Sequence, residues 1–511
     1  MQKTVPIPSA LAPLAAACRA AGGALYLVGG AVRNALLGLP HTDFDITGPL
    51  TQQAVQAVCD QGGIPCVPMS TALGTLHIRL SDGEVYEYTP FRAERYAAGG
   101  AHRPESVRFG VSMTEDAKRR DFTVNALYAD CGTGAVFDPL SALPDLETRT
   151  LRLAAPDTLR SDALRILRLV RFSAELGFTP DAAALAAARE NAALLADIAP
   201  ERRFSELRKI LLADTKYGNT AEERFSDGVP PLPAGERQNV LDALLLLETI
   251  GAWESLIPAL TAGRGMGQRP DFHRYTILEH AFHAAANAAP DETLRFAALL
   301  HDVGKPAALQ TDGNYYRHDV YGAALAREAL LALRAPNTLI HAVAAIVAGH
   351  MFDVQGTATD ATLRLRFATW GREQTAYMIG IREADFRGCG IETTYIAERW
   401  RALFQRMLSE NTPFSMRELA VTGSDVMAAT GLSEGAAVGA IKNKLFRHAV
   451  KRPKDNERAR LLRIAKGLAK DMGAAGRVSS EKTPQKRNTP LAIPDALRYN
   501  QGYAKRNDGT V

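Results

Sequence analysis

The sequence predicts an α/β head over about the first 150 residues, followed by a chain that is almost entirely helical. In the head, short apolar runs bounded by turn residues alternate with segments of helical periodicity, which is typical of strands and helices packed in layers. From about residue 151 onward, Ala- and Leu-rich helical segments dominate, with Pro and Gly breaks near residues 229–235 and 261–270. A chain of 511 residues, 46% of them hydrophobic, is long enough for about three domains.

The first predicted strand of the head ends in a glycine pair. The apolar run LYLV is followed directly by Gly29 and Gly30, an order typical of a tight turn whose backbone can approach a phosphate closely. The next residues, ARNALLG, continue at helical spacing, so that Arg33 lies in the first turn of a helix. Because a helix N-terminus attracts anions, the sequence predicts a phosphate-binding turn.

Two aspartates follow this turn. Asp43 and Asp45 are two residues apart in an alternating segment, so both carboxylates are expected on one face of a strand, where hard oxygen ligands suit Mg²⁺. The whole unit, LYLVGGAVRNALLGLPHTDFDIT, resembles the catalytic motif of polymerase-beta-like nucleotidyltransferases, in the branch that contains bacterial tRNA nucleotidyltransferases and poly(A) polymerases. The family carries Asp where this chain has Asn34, a change that we expect to lie outside the metal and phosphate positions.

Two further segments of the head extend the resemblance. YEYTPFR is similar to the strand that bears the family's third catalytic carboxylate, which corresponds to Glu87. KRRDFTVNAL is similar to the segment that contacts the incoming nucleotide, and it implies nucleotide-binding roles for Arg120, Asp121 and Asn125. The resemblance implies that the two aspartates hold Mg²⁺ while the RNA 3′-hydroxyl, activated with help from the glutamate, attacks the α-phosphate and pyrophosphate leaves.

The segment SDALRILRLVRF resembles the helix that reads the nucleotide base in this family. Polar residues recur at every third position beside an apolar stripe, so they are expected to share one helix face. A carboxylate beside a guanidinium can pair with the edges of cytosine or adenine without a nucleic-acid template. The alternative is the solvated face of an ordinary amphipathic helix. The residues concerned are Asp162, Arg165, Arg168 and Arg171. The next segment, ERRFSELRKIL, resembles the helix that braces this reader.

A loop in the head bears on which nucleotides are added. FRAERYAAGGAHRPESV contains the family's flexible-loop pattern, with Arg92, Glu94 and Tyr96. In the family this loop is associated with enzymes that add CCA or the terminal A, and it is typically missing from enzymes that add only CC. We therefore expect CCA addition to tRNA from CTP and ATP. Enzymes that add only part of CCA, and poly(A) polymerases, remain alternatives.

A second set of chemical residues lies in the helical part. His280 stands in YTILEHAFH, His301 and Asp302 stand in LLHDVGKP, and Asp385 stands in READF. This pattern resembles an HD metal-dependent phosphohydrolase domain, which implies a second divalent ion with mixed nitrogen and oxygen ligands. His318 and His350 are further candidates. The domain is either catalytic or a retained scaffold. In a different interpretation its hydrolysis is the main activity, and the head only binds nucleotide or RNA.

Composition favours a cytoplasmic enzyme without a membrane partner. The five cysteines have an odd count and no C-x-x-C spacing, so neither a disulfide framework nor a zinc ribbon is indicated. The Ala- and Leu-rich start contains Pro13 and Arg19, which argues against a signal peptide, and no apolar run reaches transmembrane length. Between residues 442 and 506 there are 18 Lys and Arg against 5 Asp and Glu, which suggests a polyanion such as tRNA.

These observations predict five consecutive parts. They are a nucleotidyltransferase head over residues 1–150, a helical base-reading and RNA-binding neck over 151–260, an HD domain over 261–395, a C-terminal helical region over 396–472 and a basic disordered tail over 473–511.

Overall fold

The computed structural model describes residues 2–40, 44–96, 104–217, 237–390 and 395–475. Of the predicted site residues, Asp43 lies outside these ranges, as does most of the predicted basic tail. Within them, the structure confirms an α/β head that is followed by a helical region.

The head is built on a seven-stranded mixed sheet with strand order β3-β4-β5-β2-β1-β8-β9. The contact between β2 and β5 is parallel, and the other neighbours in this sheet are antiparallel. Strands β6 and β7 form a separate hairpin, and the short β10 and β11 pair in parallel. The strands are β1 (Tyr26–Val28), β2 (Asp45–Gly48), β3 (Cys66–Ser70), β4 (Thr75–Arg79), β5 (Val85–Pro90), β6 (Arg92–Arg95), β7 (Ser106–Phe109), β8 (Tyr128–Asp130), β9 (Val136–Phe137), β10 (Thr150–Leu151) and β11 (Thr179–Pro180).

Two helices of the head begin at a residue whose side chain caps them. Thr51 accepts a hydrogen bond from the backbone of Ala54 at the start of α3, and Ser112 and Glu115 form a reciprocal capping box on α4. The head helices are α1 (Leu11–Ala20), α2 (Gly30–Leu37), α3 (Gln52–Gln61), α4 (Met113–Lys118) and α5 (Leu143–Glu147).

Helices make up most of the chain beyond residue 151. They are α6 (Thr158–Ser161), α7 (Leu164–Leu176), α8 (Ala182–Asn191), α9 (Pro200–Leu211), α10 (Gln238–Thr249), α11 (Trp253–Leu256), α12 (Pro258–Thr261), α13 (Ile277–Asn287), α14 (Glu292–Leu300), α15 (Lys305–Asp312), α16 (His318–Ala332), α17 (Asn337–Gly349), α18 (Asp360–Gly388), α19 (Tyr395–Ser409), α20 (Gly423–Thr430), α21 (Ala436–Lys451) and α22 (Arg458–Ala475). No helix in the described ranges is long and apolar enough to cross a membrane.

The apolar side chains form one main core and a separate C-terminal core. The main core runs from Val5 in the head to Phe414 after α19, so the sheet and the helices that follow it pack continuously. The second core, from Leu419 to Ala465, is formed by α20, α21 and α22 with the residues that flank them. The continuous packing fixes α7 and α9 against the head, beside the predicted glycine turn.

Candidate active site and metal cluster

The glycine pair forms the expected turn between β1 and α2. Gly29 has φ 75° and ψ −132°, a backbone conformation that side chains disfavour, and α2 begins at Gly30. A Cβ atom added to Gly29 would lie 3.7 Å from Arg120 Nη1 and 3.9 Å from Asp45 Oδ2. The turn therefore brings the backbone between a guanidinium and a carboxylate.

Two of the predicted catalytic carboxylates lie side by side on neighbouring strands of the sheet. Asp45 on β2 and Glu87 on β5 are register partners across the parallel pair, so their side chains lie on the same face. Both residues are exposed, and His77 Nε2 lies 3.5 Å from Glu87 Oε2. Neighbouring carboxylates on an accessible face are suited to hold a hard divalent cation.

A cavity of about 790 Å³ opens beside Asp45. Its lining contains nine Arg and Lys side chains against four Asp and Glu. Such a surplus of positive charge in a concave site attracts a polyanion such as a nucleoside triphosphate. The cationic residues are Arg33, Arg119, Arg120, Arg165, Arg168, Arg171, Arg202, Lys209 and Lys216, and the acidic residues are Asp45, Asp121, Asp162 and Glu175.

Arg33 is a buried cation of this cavity whose hydrogen-bond partners are neutral. Its Nη1 donates to Asn125 Oδ1, and its Nε and Nη2 donate to Asn34 Oδ1 at 3.0 and 2.8 Å. The guanidinium carbon lies 5.1 Å from the centroid of the Phe172 ring. Burial lowers the pKa of Arg33 from its ordinary value. An anionic ligand in the cavity would therefore relieve the cost of burying this charge.

Asn34, which was expected to lie outside the metal and phosphate positions, contacts a residue of the predicted phosphate site. Asn34 lines the cavity, and it bonds directly to Arg33 through its amide oxygen. Its Nδ2 donates to Tyr217 Oη at 3.1 Å and to the Pro40 carbonyl at 2.9 Å. A carboxylate at this position would neutralise Arg33, whereas the amide holds the guanidinium in place without doing so.

Arg120 is held by an aromatic and an acidic neighbour. Its Nε lies 3.2 Å from Tyr128 Oη and its Nη2 lies 3.2 Å from Asp116 Oδ2. Burial opposes the charged form, but Tyr128 and Asp116 together raise the pKa of Arg120 above its ordinary value. The side chain is therefore a permanent cation next to the Gly29 turn.

Asp121 and Arg168 bind each other. Arg168 donates through Nε, at 2.8 Å, and Nη2 to Asp121 Oδ2, while Asp121 Oδ1 accepts from Asn125 Nδ2 at 2.9 Å. Burial favours the protonated acid, but Arg168 and the amide of Asn125 hold the pKa of Asp121 well below its ordinary value. The structure thus ties the KRRDFTVNAL segment to α7 through residues for which the sequence predicted nucleotide contacts.

The placement of Asp162 differs from the expectation. The predicted helix begins at Leu164, and Asp162 precedes it with extended backbone angles of φ −141° and ψ 100°. Its Oδ1 accepts a hydrogen bond from the Leu164 N–H at 3.1 Å. Asp162 therefore does not share a helix face with the arginines, because a short side chain at a helix start competes for the unpaired backbone donors. It still lines the cavity.

The arginines of α7 have distinct partners. Arg165 donates to the backbone carbonyls of Thr158, at 3.2 Å, and Arg119, at 2.6 Å. Arg171 lies against α9, where its Nε is 3.2 Å from Glu206 Oε2. Contact between α7 and α9 agrees with the predicted bracing of the reader helix.

Strand β6, which carries part of the flexible-loop pattern, connects that pattern to helix α7. Arg92 Nε donates to Glu94 Oε1 at 2.7 Å, and Tyr96 Oη donates to Glu94 Oε2 at 2.5 Å. Arg119 Nη1 lies 3.4 Å from the same carboxylate, and the Tyr96 ring centroid lies 6.0 Å from the Arg165 guanidinium carbon. Burial opposes ionisation, but Arg119 and Arg92 lower the pKa of Glu94 from its ordinary value. The loop residues therefore reach Arg165 through a charged network.

Several cavity residues were missed by the sequence analysis. Arg119 adjoins a predicted residue, and Arg202 and Lys209 lie in the segment predicted only to brace the reader helix. Lys216 and Tyr217 follow α9. They reach the cavity because α7 packs against α9, and no local pattern in the sequence indicates that contact.

The four predicted HD residues meet in one buried cluster. His280 Nε2 lies 3.1 Å from both His301 Nε2 and Asp385 Oδ1, and His301 Nε2 lies 3.3 Å from Asp302 Oδ2. Bonds of roughly 2 Å to one ion place neighbouring ligands roughly 3 to 3.5 Å apart, so these atoms fit around a single divalent cation. Despite burial, Asp302 raises the pKa of His301 to about 10.

The cluster extends to the two histidines named as further candidates. His318 Nε2 lies 3.3 Å from Asp302 Oδ1, and His350 Nε2 lies 3.1 Å from His318 Nε2. Asp302 thus faces one histidine pair through each carboxylate oxygen. Lys305 Nζ lies 2.6 Å from Asp302 Oδ2.

Family models match three segments of the chain. The model described as "Poly A polymerase head domain" matches residues 25–152, "Probable RNA and SrmB- binding site of polymerase A" matches residues 177–217, and "HD domain" matches residues 273–386. The first segment holds the glycine turn and the carboxylates, and the third holds the His and Asp cluster.

Relatives with known names match over larger spans. The chain is 31% identical to the A-adding tRNA nucleotidyltransferase of Deinococcus radiodurans over 82% of its own length and 90% of the relative's. It is 37% identical to the CCA-adding enzyme of Lactiplantibacillus plantarum, over 47% of this chain and 58% of that enzyme. The solved CCA-adding enzyme of Bacillus stearothermophilus in complex with CTP is 25% identical, with a TM-score of 0.63 over 92% of this chain and 98% of that one.

The fold and the cavity, together with these matches, define a nucleotidyltransferase with an HD domain. The chain belongs to the family of tRNA nucleotidyltransferases and poly(A) polymerases.

Proposed function

We propose that the chain adds CCA to the 3′ ends of tRNA from CTP and ATP and releases pyrophosphate at each step. The observation that carries this proposal is the register pairing of Asp45 and Glu87 beside the cation-lined cavity. A carboxylate pair next to a polyanion pocket is what transfer of a nucleotide from a triphosphate requires.

Each part of the cavity has a role in this reaction. The Gly29 turn, Gly30, Arg33 and Arg120 hold the triphosphate, so that the α-phosphate lies near the sheet carboxylates. Asp162 and Arg165 present an acceptor and donors to the base edge. Arg168, Asp121 and Asn125 keep α7 in place beside the nucleotide, and Arg171 joins α7 to α9.

Mg²⁺ is the cofactor that fits the head. Asp45 supplies oxygen ligands on the same sheet face as Glu87, and Asp43, two residues earlier in the sequence, is the second candidate ligand. When bound, the ion supplies charge neutralisation at the transferring phosphate. The protein's own contribution is to orient the triphosphate and to place the Glu87 carboxylate where it can accept the proton of the RNA 3′-hydroxyl.

The RNA partner is recognised outside the cavity. Helices α21 and α22 carry many of the 18 basic residues counted between residues 442 and 506, which is the charge pattern of a surface that binds a phosphate backbone. The proposal places the enzyme in the cytoplasm, where it meets tRNA, CTP and ATP.

The test is extension of a tRNA transcript that lacks its CCA end. We expect two added nucleotides with CTP alone, almost none with ATP alone and three with both. An unstructured RNA of equal length is the control acceptor. Long tracts of A on that RNA would indicate a poly(A) polymerase, and no extension of either RNA would contradict the proposal.

Addition of A alone is the second candidate, because the Deinococcus radiodurans relative that matches over 90% of its length is an A-adding enzyme. A tRNA that already ends in CC separates the two functions. An A-adding enzyme extends this acceptor with ATP but leaves the tRNA without CC unchanged when CTP is supplied. A CCA-adding enzyme extends both acceptors.

A second activity at the HD cluster is favoured by the convergence of five side chains on Asp302. The expected activity is metal-dependent hydrolysis of a 2′,3′-cyclic phosphate or a phosphomonoester, supported by Mn²⁺, Ni²⁺ or Mg²⁺. His301→Ala should abolish it, while His341→Ala, which changes an exposed histidine on α17, should not. If the wild-type protein binds none of these ions and hydrolyses neither substrate, the domain is a scaffold.

A further inference from the structure

Beside the HD cluster lie two side chains that none of these functions uses. Cys389 and His273 adjoin the cluster residue His280, and one ligand atom from each of the three lies within 4.8 Å of the others. Cys389 Sγ is 3.3 Å from His273 Nδ1 and 3.9 Å from Asp385 Oδ1. The rings of His273 and His280 meet edge to face, with centroids 4.7 Å apart.

The distance between the sulfur and the His273 nitrogen fits two ligands of a single ion. Metal–sulfur bonds of about 2.3 Å and metal–nitrogen bonds of about 2.0 Å place tetrahedral neighbours roughly 3.5 Å apart. The Sγ to Nδ1 distance of 3.3 Å meets this value with little adjustment. Cys389 and His280 are buried and His273 is half-buried, so the group borders solvent on the His273 side.

The backbone holds the two segments together independently of any ion. Cys389 follows the last residue of α18, and its N–H bonds to the Asp385 carbonyl, which sets the thiol one turn beyond that carboxylate. The Arg274 N–H donates to the Cys389 carbonyl at 3.1 Å, so the residues before α13 are pinned to the end of α18. A Cβ added to Gly390 would lie 3.0 Å from Tyr275 Cε2, which shows how closely the segments approach.

His280 has a further property that points to a ligand. The ring is fully buried, and its Nδ1 has no hydrogen-bond partner among the residues that the structure describes. Buried ring nitrogens are ordinarily hydrogen-bonded, because an unpaired one costs free energy. An ion bound to this histidine would supply a strong interaction where the protein alone leaves the ring incompletely satisfied.

We propose that His273, His280 and Cys389 form a thiolate-containing metal position at the rim of the HD cluster, which takes a thiophilic divalent ion such as Zn²⁺ or Co²⁺. A sulfur and two imidazoles suit these ions and do not suit Mg²⁺. The thiol loses its proton to solvent as the ion binds. The position shares His280 with the HD cluster but is independent of nucleotide transfer.

The test is Co²⁺ binding to the reduced full-length protein, monitored by absorption spectroscopy. Ligation by a thiolate gives an intense near-ultraviolet sulfur-to-cobalt band, which the oxygen and nitrogen ligands of the HD cluster do not produce. We expect this band in the wild type and its loss in Cys389→Ser. Cys66→Ser is the matched control, since this half-buried cysteine lies on β3 in the head, and it should leave the band unchanged.

Two further variants keep the result interpretable if Cys389→Ser proves unstable. His273→Ala retains the thiol and should weaken Co²⁺ binding by roughly tenfold or more. His301→Ala removes an HD ligand that the rim position does not use, so the sulfur band should persist. A wild-type protein without the band, or a band that survives in Cys389→Ser, would overturn the proposal.

Discussion

Asp45 and Glu87 are register partners on the parallel strands β2 and β5, although 41 residues separate them in the sequence. The pairing places both carboxylates on one face of the sheet, and Asp45 lies next to the turn at Gly29. This relationship joins a candidate Mg²⁺ site to the cavity that would hold the triphosphate, as the proposed nucleotide transfer requires.

Removal of the first carboxylate tests the metal site. Asp45→Ala should lower the rate of nucleotide addition by roughly 10³-fold or more, since loss of metal coordination removes several kcal/mol of transition-state stabilisation. Binding of tRNA, measured by filter retention, should change little. Asp60→Ala, at an exposed acidic residue of α3, is the control and should retain full activity. Nucleotide addition by Asp45→Ala at a rate near that of the wild type would contradict the assignment of Asp45 to the metal site.

Base selection is expected to depend on Arg165. Its removal should relax discrimination against UTP and GTP by roughly tenfold, because the donors that a wrong base leaves unpaired would be absent. The relative kcat/KM for each of the four nucleotides measures this. Arg160→Ala, which changes an exposed arginine on α6, is the matched control. Since Arg165 also bonds to the carbonyls of Thr158 and Arg119, an equal loss of rate with all four nucleotides would assign it a purely structural role.

The charge of Glu94 is expected to matter most for the last nucleotide. Glu94→Gln keeps the size of the side chain but weakens its bonds to Arg92, Tyr96 and Arg119, which connect the loop to α7. We expect addition of A to slow more than addition of C when the two steps are measured on separate acceptors. Glu105→Gln, at an exposed glutamate beside β7, is the control. Equal slowing of both steps would contradict a role in reshaping the pocket between nucleotides.

Asn34 is expected to set the strength of triphosphate binding. Asn34→Asp would place a carboxylate against Arg33 and compete with the nucleotide phosphates, so the KM for both CTP and ATP should rise by about tenfold with little change in kcat. Asn34→Ala removes the acceptor without adding charge and shows how much of the effect comes from positioning alone. An unchanged KM in Asn34→Asp would mean that Arg33 does not bind the phosphates.

The sequence predicts the local features of the site well and its long-range contacts poorly. The strand, glycine turn and helix around Gly29 follow from neighbouring residues, and so does the identity of the HD residues. The position of Asp162 was predicted wrongly, because helical spacing does not reveal that this residue precedes the helix and accepts a hydrogen bond from the Leu164 N–H. The contact of Asn34 with Tyr217, which lies in the segment after α9, forms only on folding and has no signal in the local sequence. His318 and His350 required the packing of α16 and α17 to bring them to Asp302.

The mass of a tRNA product tests the central claim most directly. A tRNA transcript without its CCA end is incubated with enzyme, CTP and ATP until the reaction stops. The mass of the intact RNA is then measured by mass spectrometry. We expect one product that is heavier by two cytidylates and one adenylate, and no product with Asp45→Ala. An unchanged mass with the wild-type enzyme, or a tRNA ending in CC as the final product, would contradict it.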